Sequence, residues 1–100
     1  MAKPRAKLSE ILKKFSDHVY FQPPTGTKII YPCIIYKLEN LSVKFADNGP
    51  YRFLDEYSIL YITRDLDDTR IHDIALLPLC KMNRTYTEDS LYHYRYTIYN

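Results

Sequence analysis

The sequence predicts an α+β fold: a single domain whose antiparallel sheet of four to five strands carries two short helices packed on one face. Three observations predict it. Only two short segments space their apolar residues at helical intervals. Most of the remaining chain is β-branched and aromatic with an alternating pattern. The order along the chain is helix, strands, helix, strands, which suits an α+β domain rather than a wound parallel one. A chain of 100 residues, 46% apolar and 26% charged, is long enough for one modest core.

Residues 1–6 (MAKPRA) read as a flexible basic leader, and 7–100 as the domain. Leu8, Ile11, Leu12 and Phe15 fall at i, i+3, i+4 and i+7, an apolar stripe with lysines opposite, and Ser16, Asp17 and His18 form its exit. Val19–Phe21 is a short extended piece stopped by Pro23 and Pro24, which lack ladder donors. The run IIYPCIIYKLENLSVKF predicts strands at 28–38 and 41–46, and Pro32 marks an edge or bulge at the start of the first. ADNGPYR (46–52) is the strongest turn signal, because Asn-Gly supplies the positive φ of a tight reversal.

Residues 51–64 form the next strand, with Tyr57, Ile59 and Tyr61 on one side and Ser58, Leu60 and Ile62 on the other. Apolar residues on both sides suit a central position. DLDD (65–68) precedes the second helix, where Asp67 or Asp68 can cap the free amides; Ile71, Ile74 and Ala75 face inward and Pro78 ends it. Residues 79–87 read as a strand and EDS as a turn. The chain closes on LYHYRYTIYN, with Tyr92, Tyr94, Tyr96 and Ile98 on one face and His93, Arg95, Thr97 and Tyr99 on the other. Two short helices cover one face of such a sheet. The other, carrying aromatics, is left as an interaction surface.

The eleven tyrosines favour sheets and protein interfaces, and two glycines provide no material for a phosphate-cradling loop. The net charge of +2 does not by itself point to nucleic acid. Lys3, Arg5, Lys7, Lys13 and Lys14 near the start are read either as a solvated helix face with its leader or as an anionic-surface contact. Cys33 and Cys80 sit in apolar strings with no signal-peptide run before them and no membrane-length stretch anywhere. Small buried hydrophobes in a reducing cytoplasm are therefore expected, and the sequons at Asn40 and Asn83 carry no meaning there.

His18, His72 and His93 show no metal-ligand spacing with each other or with the cysteines, and DLDD lacks the glycine and distal glutamate of a calcium loop. No catalytic, cofactor or metal site is expected, and no enzyme. A small RNA-binding sheet remains an alternative, although no segment has the basic residue and glycine that open the usual aromatic RNA motif.

The segments VYFQPP, YPCIIYKLEN, KFADNGPYRF, YSILYITRDLDD, LPLC and YTEDSLYHYRYTIYN, in this order, resemble the tail completion, or tail terminator, proteins of long-tailed bacteriophages, similar to the minor tail protein U group. The resemblance spans about Val19 to Tyr99. It implies an α+β subunit of a hexameric ring that caps the tail tube, stops its growth and meets the head connector, with DNA passing through the lumen. The implied partners are other copies of the chain, the tail tube protein and the head-tail connector protein. The implied location is the virion neck after synthesis in the host bacterial cytoplasm, with no membrane. Another neck role, such as a head-completion or stopper ring, is the alternative within this class, and a small nucleic-acid-binding module the alternative outside it.

A ring needs two different patches meeting head to tail. The expected interface residues are Phe45, Asn48, Tyr51, Arg52 and Phe53 around the reversal, with His93, Arg95 and Tyr99 on the last strand. Gln22, Pro23, Pro24 and Lys28 form a possible second docking loop. Tyr94→Ala is expected to lower the melting temperature, whereas Tyr99→Ala is expected to leave folding intact and weaken assembly measured by light scattering.

Overall fold

The computed structural model describes residues 5–45, 52–65 and 67–100. In chain order it contains α1 (Arg5–Leu12), β1 (Val19–Phe21), β2 (Cys33–Phe45), β3 (Arg52–Thr63), α2 (Arg70–Ala75), β4 (Cys80–Glu88) and β5 (Leu91–Tyr99). The five strands form one sheet in the order β1-β2-β3-β5-β4. The α+β class, the strand number and the two short helices match the sequence expectation. The sheet is mixed rather than wholly antiparallel, because β1 runs parallel to β2, with Val19 opposite Ile34 and Phe21 opposite Tyr36.

Two further differences have local causes. The segments 28–38 and 41–46 are one strand, not two. It begins at Cys33, just after Pro32, which has no amide to donate. It runs through Glu39–Ser42 by shifting register between Leu38 and Asn40 and again between Asn40 and Val43. Such bulges bend a strand without ending it. The first helix starts at Arg5, inside the expected leader, and stops at Leu12, leaving Phe15 in the following turn. Ser16 then directs the chain into β1: its hydroxyl donates to the Pro32 carbonyl at 2.9 Å and accepts the His18 amide at 3.1 Å.

The connection from β1 to β2 must travel back to start a parallel neighbour. It turns at Pro24–Thr27, where the Thr27 amide donates to the Pro24 carbonyl at 3.2 Å and Gly26 takes φ +87°. A β-carbon at that φ would be strained, so this position calls for glycine. The Ile30 amide then donates to the Tyr20 hydroxyl at 3.3 Å. Tyr20 alternates with the core residues Val19 and Phe21. The connection therefore crosses on the side of the sheet away from the helices.

Both helices lie on the other side. Leu8 and Leu12 of α1 and Ile71 and Ile74 of α2 are buried against Ile34, Tyr36, Tyr57, Ile59, Tyr61, Tyr96 and Ile98. This is the alternation predicted for β3 and β5. Burying a phenol strands a polar group unless its hydroxyl finds a partner. Each of the three fully buried tyrosines finds one on or beside a helix. Tyr36 bonds the Ser9 hydroxyl of α1. Tyr61 donates to Asp68 at 2.6 Å, just ahead of α2, and Tyr96 donates to the Ile71 carbonyl within α2 at 2.9 Å.

The β4–β5 hairpin closes in two residues, Asp89 and Ser90, both at positive φ (53° and 63°), with Glu88 opposite Leu91. That conformation matches the strand twist.

Tyr96→Phe removes a buried hydrogen bond to the Ile71 carbonyl, which keeps its place in the helical ladder, so a loss of about 0.5–1.5 kcal/mol is expected. For a domain of this size that lowers Tm by about 4–8 °C per kcal/mol. Tyr92→Phe, at a half-buried site without such a bond, is expected to be neutral in the same melts. Equal shifts for the two would show that ring packing, not the hydroxyl tether, holds α2.

Candidate functional site

Three places in the fold concentrate polar chemistry. The first is the junction of β3 and α2. The Asp68 side chain is 3% exposed and sits opposite an Arg70 side chain that is 40% exposed. Its Oδ1 accepts the Arg70 amide at 3.0 Å and the Arg70 Nε at 2.9 Å; its Oδ2 accepts Arg70 NH2 at 2.8 Å and the Tyr61 hydroxyl at 2.6 Å. Arg70 NH1 also donates to the Phe15 carbonyl at 3.1 Å, joining the start of α2 to the turn after α1. The sequence expectation of a capping aspartate is met by Asp68 through the Arg70 amide. Thr69 occupies the cap position without a side-chain bond. Asp67 instead gives its own amide to Asp65 Oδ1 at 2.9 Å.

Burial alone would raise the pKa of Asp68, but the hydrogen bonds from Arg70 and Tyr61 outweigh it and bring the value down to about 2. Burial, reinforced by the bond to Asp68, pushes the Tyr61 phenol upward. A carboxylate so firmly ionised, with both oxygens committed, does not exchange protons near neutrality. The junction acts as a strut.

The second place is a cleft of about 470 Å³ between the start of α2 and β4, bordered by Asp67, Thr69, His72, Met82, Thr85 and Tyr94. Neither cysteine lines it. Burial raises both thiols to about 11, so each is protonated at neutral pH. Among the described residues, no three His, Cys, Asp or Glu side chains converge to hold a metal ion, and no helix is long and apolar enough to cross a membrane.

The third is the sheet face opposite the helices. Cys33 and Ile62 are buried there, whereas Ile35 and Leu60 are half-exposed. The 22–32 connection crosses at its β1 end, so the chain itself covers this face in part. Toward β4 and β5 it becomes cationic. Arg84 stands directly opposite Arg95, and Lys81 opposite Thr97. The Tyr86 ring stacks on His93 at 4.6 Å with 12° between the planes, and the Arg84 guanidinium lies over Tyr86 at 4.8 Å.

The residues singled out from sequence separate into groups on this frame. Arg95 and Tyr99 stand on this face and are half-buried. His93 shares the face but is only 9% exposed, with Nδ1 3.0 Å from the Leu91 carbonyl, so it supports Tyr86 from beneath. Phe45 and Arg52 are paired strand residues at the end of the β2–β3 hairpin, next to Phe53, which pairs with Lys44. Asn48 and Tyr51 lie outside the described residues. Gln22 is tied to the sheet: its amide donates to the Tyr36 carbonyl at 3.0 Å and its Oε1 accepts the Leu38 amide at 3.1 Å. Pro23 is half-buried, whereas Pro24 and Lys28 are exposed in the crossing connection.

Sequence reasoning missed the Tyr61–Asp68–Arg70 cluster and Arg84. For the first there is no periodic signal, since the partners come from a strand end and the loop after it. For Arg84 the signal is the turn length: a two-residue reversal at Asp89–Ser90 brings it opposite Arg95.

Compared with known proteins, the chain matches no family model, no curated protein and no solved structure.

The Asp68 carboxylate is more acidic folded than unfolded, so its contribution to stability is complete above the unfolded value near 4 and is lost as pH falls toward about 2. Discounted for the solvent around Arg70, the loss is on the order of 1–2 kcal/mol. Asp68→Asn is expected to destabilise the protein at neutral pH and to approach the wild type between pH 4 and 2 in melts. A constant gap across that window would contradict the assignment.

Proposed function

We propose that this chain is a structural virion subunit of a tailed bacteriophage, a tail completion or tail terminator protein. It forms a ring, read as a hexamer, that caps the tail tube, stops its growth and joins it to the head connector. It acts by contact and carries no catalytic step. Its partners are further copies of the chain, the tail tube protein and the connector protein, and DNA passes through the lumen without being read.

The observation that carries the reading is the two-sidedness of the sheet. One side is closed by both helices, and the other offers half-exposed Ile35, Leu60, Arg95 and Tyr99. A ring subunit needs such a second face. Two other features support it. The ordered segments from VYFQPP to YTEDSLYHYRYTIYN run the length of the domain and resemble that class throughout. The β2–β3 ladder also runs on through Val43–Leu54 and Lys44–Phe53 to Phe45–Arg52, which gathers the expected contact residues Phe45, Arg52 and Phe53 at one end of the sheet.

Deleting the gene from its phage and viewing the lysate by negative-stain electron microscopy tests the role. Unjoined heads beside tubes of irregular or excessive length are expected. Unjoined heads beside tails of normal length would move the ring to the connector side of the joint, and intact virions would overturn the structural reading.

A further inference from the structure

Arg84 and Arg95 present a local conflict. They are direct cross-strand partners on one face, and like charges so placed repel. Among the described residues the ion pairs are Lys37–Glu39 and Asp68–Arg70, and neither includes Arg84 or Arg95. The Arg84 guanidinium is held in place by its stack on Tyr86, which rests on the nearly buried His93. A fixed guanidinium loses less entropy on meeting a carboxylate than a free one. The pair is a prepared anion site to which no carboxylate among the described residues is bound.

The chain carries a matching acidic corner. Asp65, Asp67 and Asp73 are exposed where β3 passes into α2. Nearby Arg70 is occupied by Asp68, and Arg64 turns over the Tyr31 ring at 5.6 Å. α2 packs on the opposite side of the sheet from Arg84 and Arg95, as Tyr96 bonding to Ile71 shows. The two patches therefore cannot neutralise each other within one chain, yet they are complementary between two.

We propose that Arg84 and Arg95 of one copy receive the acidic corner of a second copy, Asp67 and Asp73 foremost, in a head-to-tail contact. The proposal rests on the ring reading and gives it a specific joint. One patch on each side of the sheet is the arrangement a heterologous contact requires, and it closes into a ring when the rotation permits. A nucleic-acid strand is the less favoured occupant. Tyr86, the aromatic beside the arginines, is sandwiched between His93 and Arg84 and has no open face for a base.

The test uses the full chain and sedimentation, at concentrations up to about 1 mM. Wild type is expected to self-associate at about 50 mM salt and to lose about tenfold in association constant by about 500 mM. R84E/R95E and D67R/D73R are each expected to be monomeric, because each repels itself. Mixed in equal amounts they are expected to assemble, since only alternating contacts pair opposite charges. R84Q/R95Q, which keeps size and polarity and relieves the cross-strand repulsion, should weaken assembly in the same direction, with a melting temperature no lower than wild type as the folding control. Monomeric wild type at low salt, variants that assemble like wild type, or a mixture that stays monomeric would each overturn the proposal. So would R84E/R95E that self-associates normally but loses wild-type binding to a single-stranded DNA oligonucleotide, which would make the pair a phosphate site. Complementation of the gene deletion separates this from the virion role: R84E/R95E restoring normal virions would sink the joint and leave the role standing.

Discussion

A phenol can be buried deeply only where its hydroxyl has a partner, and that requirement organises this fold. Three tyrosines on three different strands, Tyr36, Tyr61 and Tyr96, are almost fully buried. Each hydroxyl ends on α1, on α2 or on the aspartate leading into α2. Apolar burial alone would let a helix slide over the sheet, because hydrophobic attraction has little directional preference. Three hydrogen bonds at separate points remove that freedom. Arg70 extends the constraint by joining Asp68 to the Phe15 carbonyl, so the two short helices are positioned relative to one another as well as to the sheet. Neither helix is long enough to be stable alone, and tertiary contact supplies what propensity does not.

The same arrangement separates the two sides of the sheet in chemical character. The helix side is largely aromatic and aliphatic, with the polar cleft at the start of α2 at its β4 edge. The far side is shared between the crossing 22–32 connection at one end and a cationic, aromatic area at the other. The parallel placement of β1 produces this division, since an antiparallel β1 would have needed only a short turn and left the apolar end of the face open. The surface left open on this side is thereby concentrated toward β4 and β5.

Much of this was legible because alternation is a strong signal. The split of Tyr94, Tyr96 and Ile98 from His93, Arg95 and Tyr99 follows from period two alone, as does that of Tyr57, Ile59 and Tyr61 from their neighbours. Pairing partners are a different matter. Nothing in Val19–Phe21 says whether its neighbour runs parallel, and Glu39-Asn40-Leu41 looks like a break because bulges leave no compositional mark. The Asp68 cluster was hidden for a related reason: an aspartate before a helix satisfies the local capping pattern whether or not a distant tyrosine also claims it. The interface residues depended most on register. Arg95 could be placed on a face from its own strand, but its opposite number emerged only with the turn length.

The register shift between Met82 and Arg84 divides β4 into two stretches. From Cys80 to Met82 the strand is aligned by the core, through Ile98 and Tyr96. From Arg84 to Glu88 it is aligned by the Asp89–Ser90 reversal. The irregularity at Asn83 works as a slip joint between them. Changes in the outer hairpin can move surface charges relative to one another while the buried rows stay where they are. The part of the molecule that meets others can therefore diverge at a different pace from the part that keeps it folded.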